Sequence, residues 1–138
     1  MTSAPAPVEI LMVEDSPGAV RLTIEALRDA GLPNRLHVVE DGAAALDFLY
    51  CRAPYGDAAR PDLVLLDLNL PRKNGTEVLD EIRRDPALNG IPVVVLSTSH
   101  AEADVARCKA LAANCYVVKP MDYEGFVAVV AQLKRFWG

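Results

Sequence analysis

The chain has 138 residues, enough for one domain with a real core, and is 51% apolar and 24% charged, a balance that excludes a disordered or collagen-like chain. Its formal net charge of -5 argues against the clustered basic surface that binds nucleic acid. No apolar run approaches the ~20 residues that span a bilayer, and three scattered cysteines lack the C-x-x-C pairing of zinc or dithiol sites, so a cytoplasmic protein with reduced, packed thiols is expected.

From the amino end, MTSAPAPVEI has neither the basic nor the apolar region of a secretory leader, and residues 1–7 read as a disordered tail before a single domain over 8–138. Residues 10–13 make the first apolar run, followed by a helical stripe of Val20, Ile24 and Leu27 that Gly31-Leu32-Pro33 stops. Residues 36–39 come next, then Gly42 after Asp41 and a stripe of Ala43, Leu46 and Leu49 or Tyr50. Polar residues 51–61, with Pro54 and Gly56, read as a longer loop. Residues 63–66 form the greasiest run, leading through Asp67, Asn69, Pro71 and Gly75 to Val78, Leu79 and Ile82, with Asp85-Pro86 as the stop. Arg83-Arg84 reads as solvated helix face. Residues 93–96, an alanine-rich helix near 101–112, residues 116–118 and a stripe of Phe126, Val130, Leu133 and Trp137 complete the series.

Three of the five runs are continuously apolar, as strands covered on both faces are. Strand then helix, five times, implies an α/β domain: a parallel sheet with helices on both faces, joined by right-handed crossovers. In such sheets ligands bind at the carboxyl ends of the strands. This chain places Glu14 and Asp15 after the first strand, Asp67 and Asn69 at the third, Ser97-Thr98-Ser99 at the fourth, and Lys119-Pro120 at the fifth. Carboxylates ~5 Å apart repel pairwise by roughly 3 kcal/mol at an effective dielectric near 20, more than one lysine offsets. Oxygen ligands without His or Cys suit a hard divalent ion such as Mg²⁺.

These residues resemble the receiver domain of two-component response regulators. The resemblance rests on V-E-D at 13–15, D-L-N-L-P with a later Gly at 67–75, S-T-S at 97–99 and Y-V-V-K-P at 116–120, and it covers the chain from Val8 onward. It implies a flavodoxin-like, doubly wound (βα)5 domain with a five-stranded sheet of order 2-1-3-4-5. It also implies that Asp67 takes a phosphoryl group from a sensor histidine kinase, a use of carboxylate as nucleophile that needs positioning and charge neutralisation above all. Asp15, Asp67 and the main-chain carbonyl of Asn69 would ligate Mg²⁺, with Mn²⁺ as an alternative, and Glu14 would act through a water. Lys119 would pair with the phosphoryl oxygens. Ser97, Tyr116 and Pro120 would form the switch that reshapes the face of the fourth helix, fifth strand and fifth helix, with a cis bond before Pro120 holding Lys119 on the site. Glu-Asp stands where many receivers have Asp-Asp, Ser97 where Thr is commoner, and Thr98 adds bulk where Ala or Gly is frequent.

The stretches HVVEDGAAALDFL, DLNLPRKNG, IPVVVLSTS and ANCYVVKP resemble the free-standing single-domain regulators partnered with bacterial phytochrome kinases. No output domain is expected, so the signal would pass to a target or phosphotransfer protein, and the protein would act as a signalling switch and not as an enzyme. Phe136 and Trp137, aromatic at the last helical turn, point to a homodimer. His37 reads as a strand-edge residue. Two rivals remain: a metal-dependent phosphohydrolase with Asp67 as nucleophile, which would want an acid where Asn69 stands, and a flavodoxin-like nucleotide or flavin module, which would want a neutral phosphate loop in place of VEDSPG.

Overall fold

The computed structural model describes residues 7–70, 74–98 and 102–136. The elements run β1 (Val8–Val13), α1 (Pro17–Asp29), β2 (Asn34–Val39), α2 (Gly42–Leu49), β3 (Leu63–Asp67), α3 (Gly75–Arg84), β4 (Val93–Ser97), α4 (Glu102–Ala110), β5 (Cys115–Val118) and α5 (Tyr123–Leu133), with a short 3-10 turn Lys134–Phe136. All four strand pairings are parallel and the sheet order is β2-β1-β3-β4-β5, as expected of the doubly wound fold.

Strand alternation explains why the central runs are apolar throughout. Leu11, Val13, Val64, Leu66, Val93 and Val95 face α2, α3 and Cys108 of α4. Their neighbours Ile10, Met12, Leu63, Leu65 and Val94 face α1 and α5. With both faces covered, every second residue is as buried as the one before it. Truncating Leu65 or Leu66 to Ala would cost on the order of 3 kcal/mol.

Helix starts follow the sequence signals. Ser16, Asp41, Asn74 and Asp122 each accept a main-chain N–H at the third residue on, satisfying donors the helix leaves open. The stripe expected on α1 is rotated: Ala19, Thr23, Ala26 and Leu27 are buried, while Ile24 is 40% exposed. The Tyr123 hydroxyl bonds the Asp29 carboxylate, tying α5 to α1.

Two further expectations change. Arg84 is solvated and pairs with Asp80, but Arg83 turns inward. It donates to the carbonyls of Asn89, Ile91, Leu111 and Ala112 and to Asn114 Oδ1, at 2.9–3.2 Å. Consecutive helix residues point ~100° apart, so one arginine can be in solvent while its neighbour anchors loops. Of the cysteines, Cys108 is packed, Cys115 is half-buried and Cys51 is exposed. Cys51 sits in the polar 51–61 loop, which offers little apolar cover. His37 lies on edge strand β2, where its Nε2 meets Glu9 at 2.7 Å. Phe136 has no described side chain, and Trp137 and the 1–6 segment lie outside the described residues.

Candidate functional site

The parallel register brings the strand ends level. Glu14 follows β1, with its N–H donating to Val39 O. Asp67 closes β3 opposite Leu96, and the Lys119 N–H donates to Ser97 O at 2.7 Å. Asp67, Glu14 and Ser97 are buried and Asp15 is exposed. Carboxylate oxygens of Glu14, Asp15 and Asp67 all lie within 4.8 Å of one another.

Lys119 Nζ reaches this cluster from β5, 2.9 Å from Glu14 Oε2 and 3.2 Å from Asp67 Oδ2. The Ser16 N–H also donates to Glu14 Oε2, and the Asn69 N–H donates to Asp67 Oδ1 at 2.9 Å. Glu14 Oε1 is buried without a hydrogen-bond donor, although Nζ lies 2.7 Å away; the contact is one of charge, without hydrogen-bond geometry. Three acids against one lysine leave an excess of negative charge in a partly dry cleft. Burial pushes the Glu14 carboxyl up from 4.5 to about 7, with the Lys119 hydrogen bond opposing and Asp67 adding to the rise. Burial pulls the Lys119 ammonium down, but Glu14 and Asp67 outweigh it and leave its pKa raised.

A dense oxygen donor set with surplus negative charge fits a hard divalent cation. With such an ion bound, the site could answer the charge of a dianionic group placed beside Asp67.

The cis bond expected before Pro120 is not found; among the described residues the cis X-Pro bond is Ala53–Pro54. Lys119 is aimed instead by its ladder bond to Ser97 and by the two carboxylates that hold its Nζ. Tyr116 lies half-buried on β5, in register with Val95 and packed against the core on the sheet face that also holds Cys108 of α4. Pro71 and Ser99 lie outside the described residues.

One feature of the site escapes a reading by motif. Asn69 Nδ2 donates to Thr98 Oγ1 at 3.0 Å, a cross-link between two loops that no local pattern announces. The later glycine of the motif, Gly75, has a steric reason: a Cβ there would lie 2.5 Å from Asp67 O and 2.7 Å from Leu68 Cα.

A doubly wound sheet that gathers three acids and a lysine at its carboxyl edge is the layout of a response regulator receiver, and the chain belongs to that family: the response regulator receiver domain matches residues 10–131. It is thus a response regulator of two-component signalling. Among its relatives, the response regulator Rcp1 of Synechocystis sp. is 44% identical over 131 residues, covering 95% of this chain and 89% of that one. The crystal structure of the phosphorylated cyanobacterial phytochrome response regulator RcpA superposes with a TM-score of 0.88 at 44% identity, over 96% of this chain and 94% of that one. The Mn²⁺-bound form of Rcp1 gives 0.87 at 44% identity, over 95% and 94%.

Proposed function

We propose that Asp67 is the phosphoacceptor of a phytochrome-linked phosphorelay. The observation that carries this reading is the Asp67 carboxylate at the sheet edge, 3.2 Å from Lys119 Nζ and within the three-acid cluster. Rcp1 and the phosphorylated RcpA support it as similar proteins, and they are the reason to assign a phytochrome histidine kinase as the donor.

A carboxylate oxygen of Asp67 attacks the phosphorus of the donor phosphohistidine; an O–P bond forms, the N–P bond breaks, and the imidazole leaves with its electron pair. Asn69 N–H orients Asp67 through Oδ1, and the Lys119 ammonium is placed to follow the transferred group. Asp15, Asp67 and the Asn69 main-chain carbonyl would hold Mg²⁺ or Mn²⁺, with Glu14 acting through a water. The bound ion supplies charge neutralisation. The Mn²⁺-bound Rcp1 supports that donor set by similarity.

The Ser97 hydroxyl, Tyr116 and Pro120 form the switch that couples the phosphoryl group to the α4, β5 and α5 face, where a partner reads it. Protein chemistry is limited to transfer onto Asp67 and its hydrolysis. The Asn69 amide, engaged with Thr98, offers no exchangeable acid for turnover of small phosphate esters, which counts against the hydrolase rival. A buried glutamate after β1 repels a bare nucleotide phosphate, which counts against the flavodoxin-like rival. A homodimer through the β5 side is part of this reading, supported by edge strand β5 and its Val118, 43% exposed. Sedimentation that finds a monomer with and without phosphorylation removes it.

The test is phosphorylation by acetyl phosphate and by a phytochrome kinase, with and without Mg²⁺. Wild type should label only with the ion, and Asp67→Asn should not label. Label kept by Asp67→Asn, or gained in chelator, overturns the assignment.

A further inference from the structure

The Arg83 cluster lies at the opposite edge of the sheet from the phosphoacceptor. Its guanidinium bonds the carbonyls of Leu111 and Ala112 at the end of α4, those of Asn89 and Ile91 before β4, and Asn114 Oδ1. Asn114 extends the network. Its Oδ1 accepts the Val93 N–H at 2.9 Å, its N–H donates to Val93 O, and its carbonyl accepts from Arg135. One side chain of α3 thus joins the end of α4 to the starts of β4 and β5.

Little of α4 is buried. Cys108, near its carboxyl end, is its one buried residue, Asp104 and Val105 are half-buried, and Glu102, Ala103, Ala106, Arg107, Lys109 and Ala110 are exposed, so the carboxyl end is held by hydrogen bonds more than by burial. The end itself is closed tightly. Ala113 N–H returns to Cys108 O at 3.0 Å, and Ala112 sits at φ +57, a left-handed conformation that costs a non-glycine residue about 1–2 kcal/mol. Arg83 holds that residue by its carbonyl. The other end of α4 lies beside the site: Asp104 lines a cleft with Leu68, Asn69, Leu70, Asn74 and Thr76.

We propose that Arg83 makes the carboxyl end of α4 a fixed pivot, so that the change driven by the phosphoryl group is confined to the end of the helix beside Asp67. The pivot stands on geometry alone; its use in signalling rests on the phosphoacceptor reading. A helix anchored more firmly at one end than at the other moves most at the less firmly anchored end, since local opening follows the least protected segment.

Hydrogen exchange read by mass spectrometry tests both parts, using the full chain, Arg83→Gln and Asn114→Ala. The quantity read is exchange of residues 107–113 relative to β1, a ratio that cancels global loss of stability. In the unphosphorylated protein, 107–113 should exchange more slowly than 102–106, and both variants should quicken it by about tenfold, the loss of one or two well-made hydrogen bonds. A ratio unchanged in both variants overturns the pivot whether or not Asp67 labels. With Mg²⁺ and beryllofluoride, wild type should change only at 102–106 and Arg83→Gln through 113. A wild-type response equal along the whole helix overturns the confinement, whereas loss of the phosphoacceptor reading shows separately in the Asp67→Asn labelling.

Discussion

Asn69 and Thr98 are joined by a 3.0 Å hydrogen bond from the side-chain amide to the hydroxyl, linking the loop after β3 to the end of β4. Asn69 also orients Asp67 through its main-chain N–H, so the residue that positions the carboxylate is itself held from across the cleft. Thr98→Ala removes that hold and some bulk at once. Labelling by acetyl phosphate and hydrolysis of the label should both quicken by about fivefold, the rate equivalent of one ~1 kcal/mol hydrogen bond. Time courses that overlay the wild type would show that the bond does not limit entry.

Glu14 makes the ion-free protein respond to pH in an unusual direction. Its folded pKa of about 7 lies above the ordinary 4.5, so the native state binds the proton more tightly than the unfolded chain. The contribution is therefore full below 4.5 and lost as pH rises through 7. Thermal melts in chelator should rise in Tm as pH falls from 7.5 to about 5, beyond the trend of Glu14→Gln, which lacks this titration. Identical slopes for the two proteins would refute the claim.

Charge crowding predicts that losing the Asp67 carboxylate stabilises the ion-free fold. Asp67→Asn removes one of three acids that share a single lysine, and its Tm in chelator should exceed wild type by about 3 °C, the worth of ~1 kcal/mol in a chain of this size. Mg²⁺ at tenfold over its dissociation constant should raise the wild-type Tm by about 5 °C. Asp15→Asn should lose most of that gain. Calorimetry with and without the ion measures all three.

Gly75 should tolerate no side chain. A Cβ would sit 2.5 Å from the Asp67 carbonyl oxygen, so Gly75→Ala must push α3 away from β3 at a cost of about 1–3 kcal/mol, and it should slow labelling. Gly56→Ala, where a Cβ meets nothing within 4 Å, is the control and should leave both unchanged. Urea melts and a labelling assay decide it.

The parts of the fold that the sequence revealed are those governed by burial on both faces. Residues 63–66 and 93–96 fit strands covered on both faces, and the acids and lysine beyond the strand ends were placed where they could converge on one cleft. What escaped was set by rotation and by distant partners. Val20, Ile24 and Leu27 match helical spacing as well as the true buried set of Ala19, Thr23, Ala26 and Leu27, because small residues carry little apolar signal where helices approach closely. Arg83 looked solvated beside Arg84, since its acceptors, four main-chain carbonyls and Asn114 Oδ1, lie 6 to 31 residues away. The aim of Lys119 was ascribed to the bond before Pro120, whereas a ladder bond and two carboxylates supply it.

Glu14 and Lys119, which share a hydrogen bond at the site, are 105 residues apart in the chain, with Asp67 between them. A nascent polypeptide emerging from the ribosome therefore carries Asp67 long before it carries the lysine that answers it, and β5 must dock before the charges can meet. If Asp67 is the phosphoacceptor as proposed, chemical competence arrives with the last strand, and a chain that has not yet docked β5 should accept phosphoryl groups poorly.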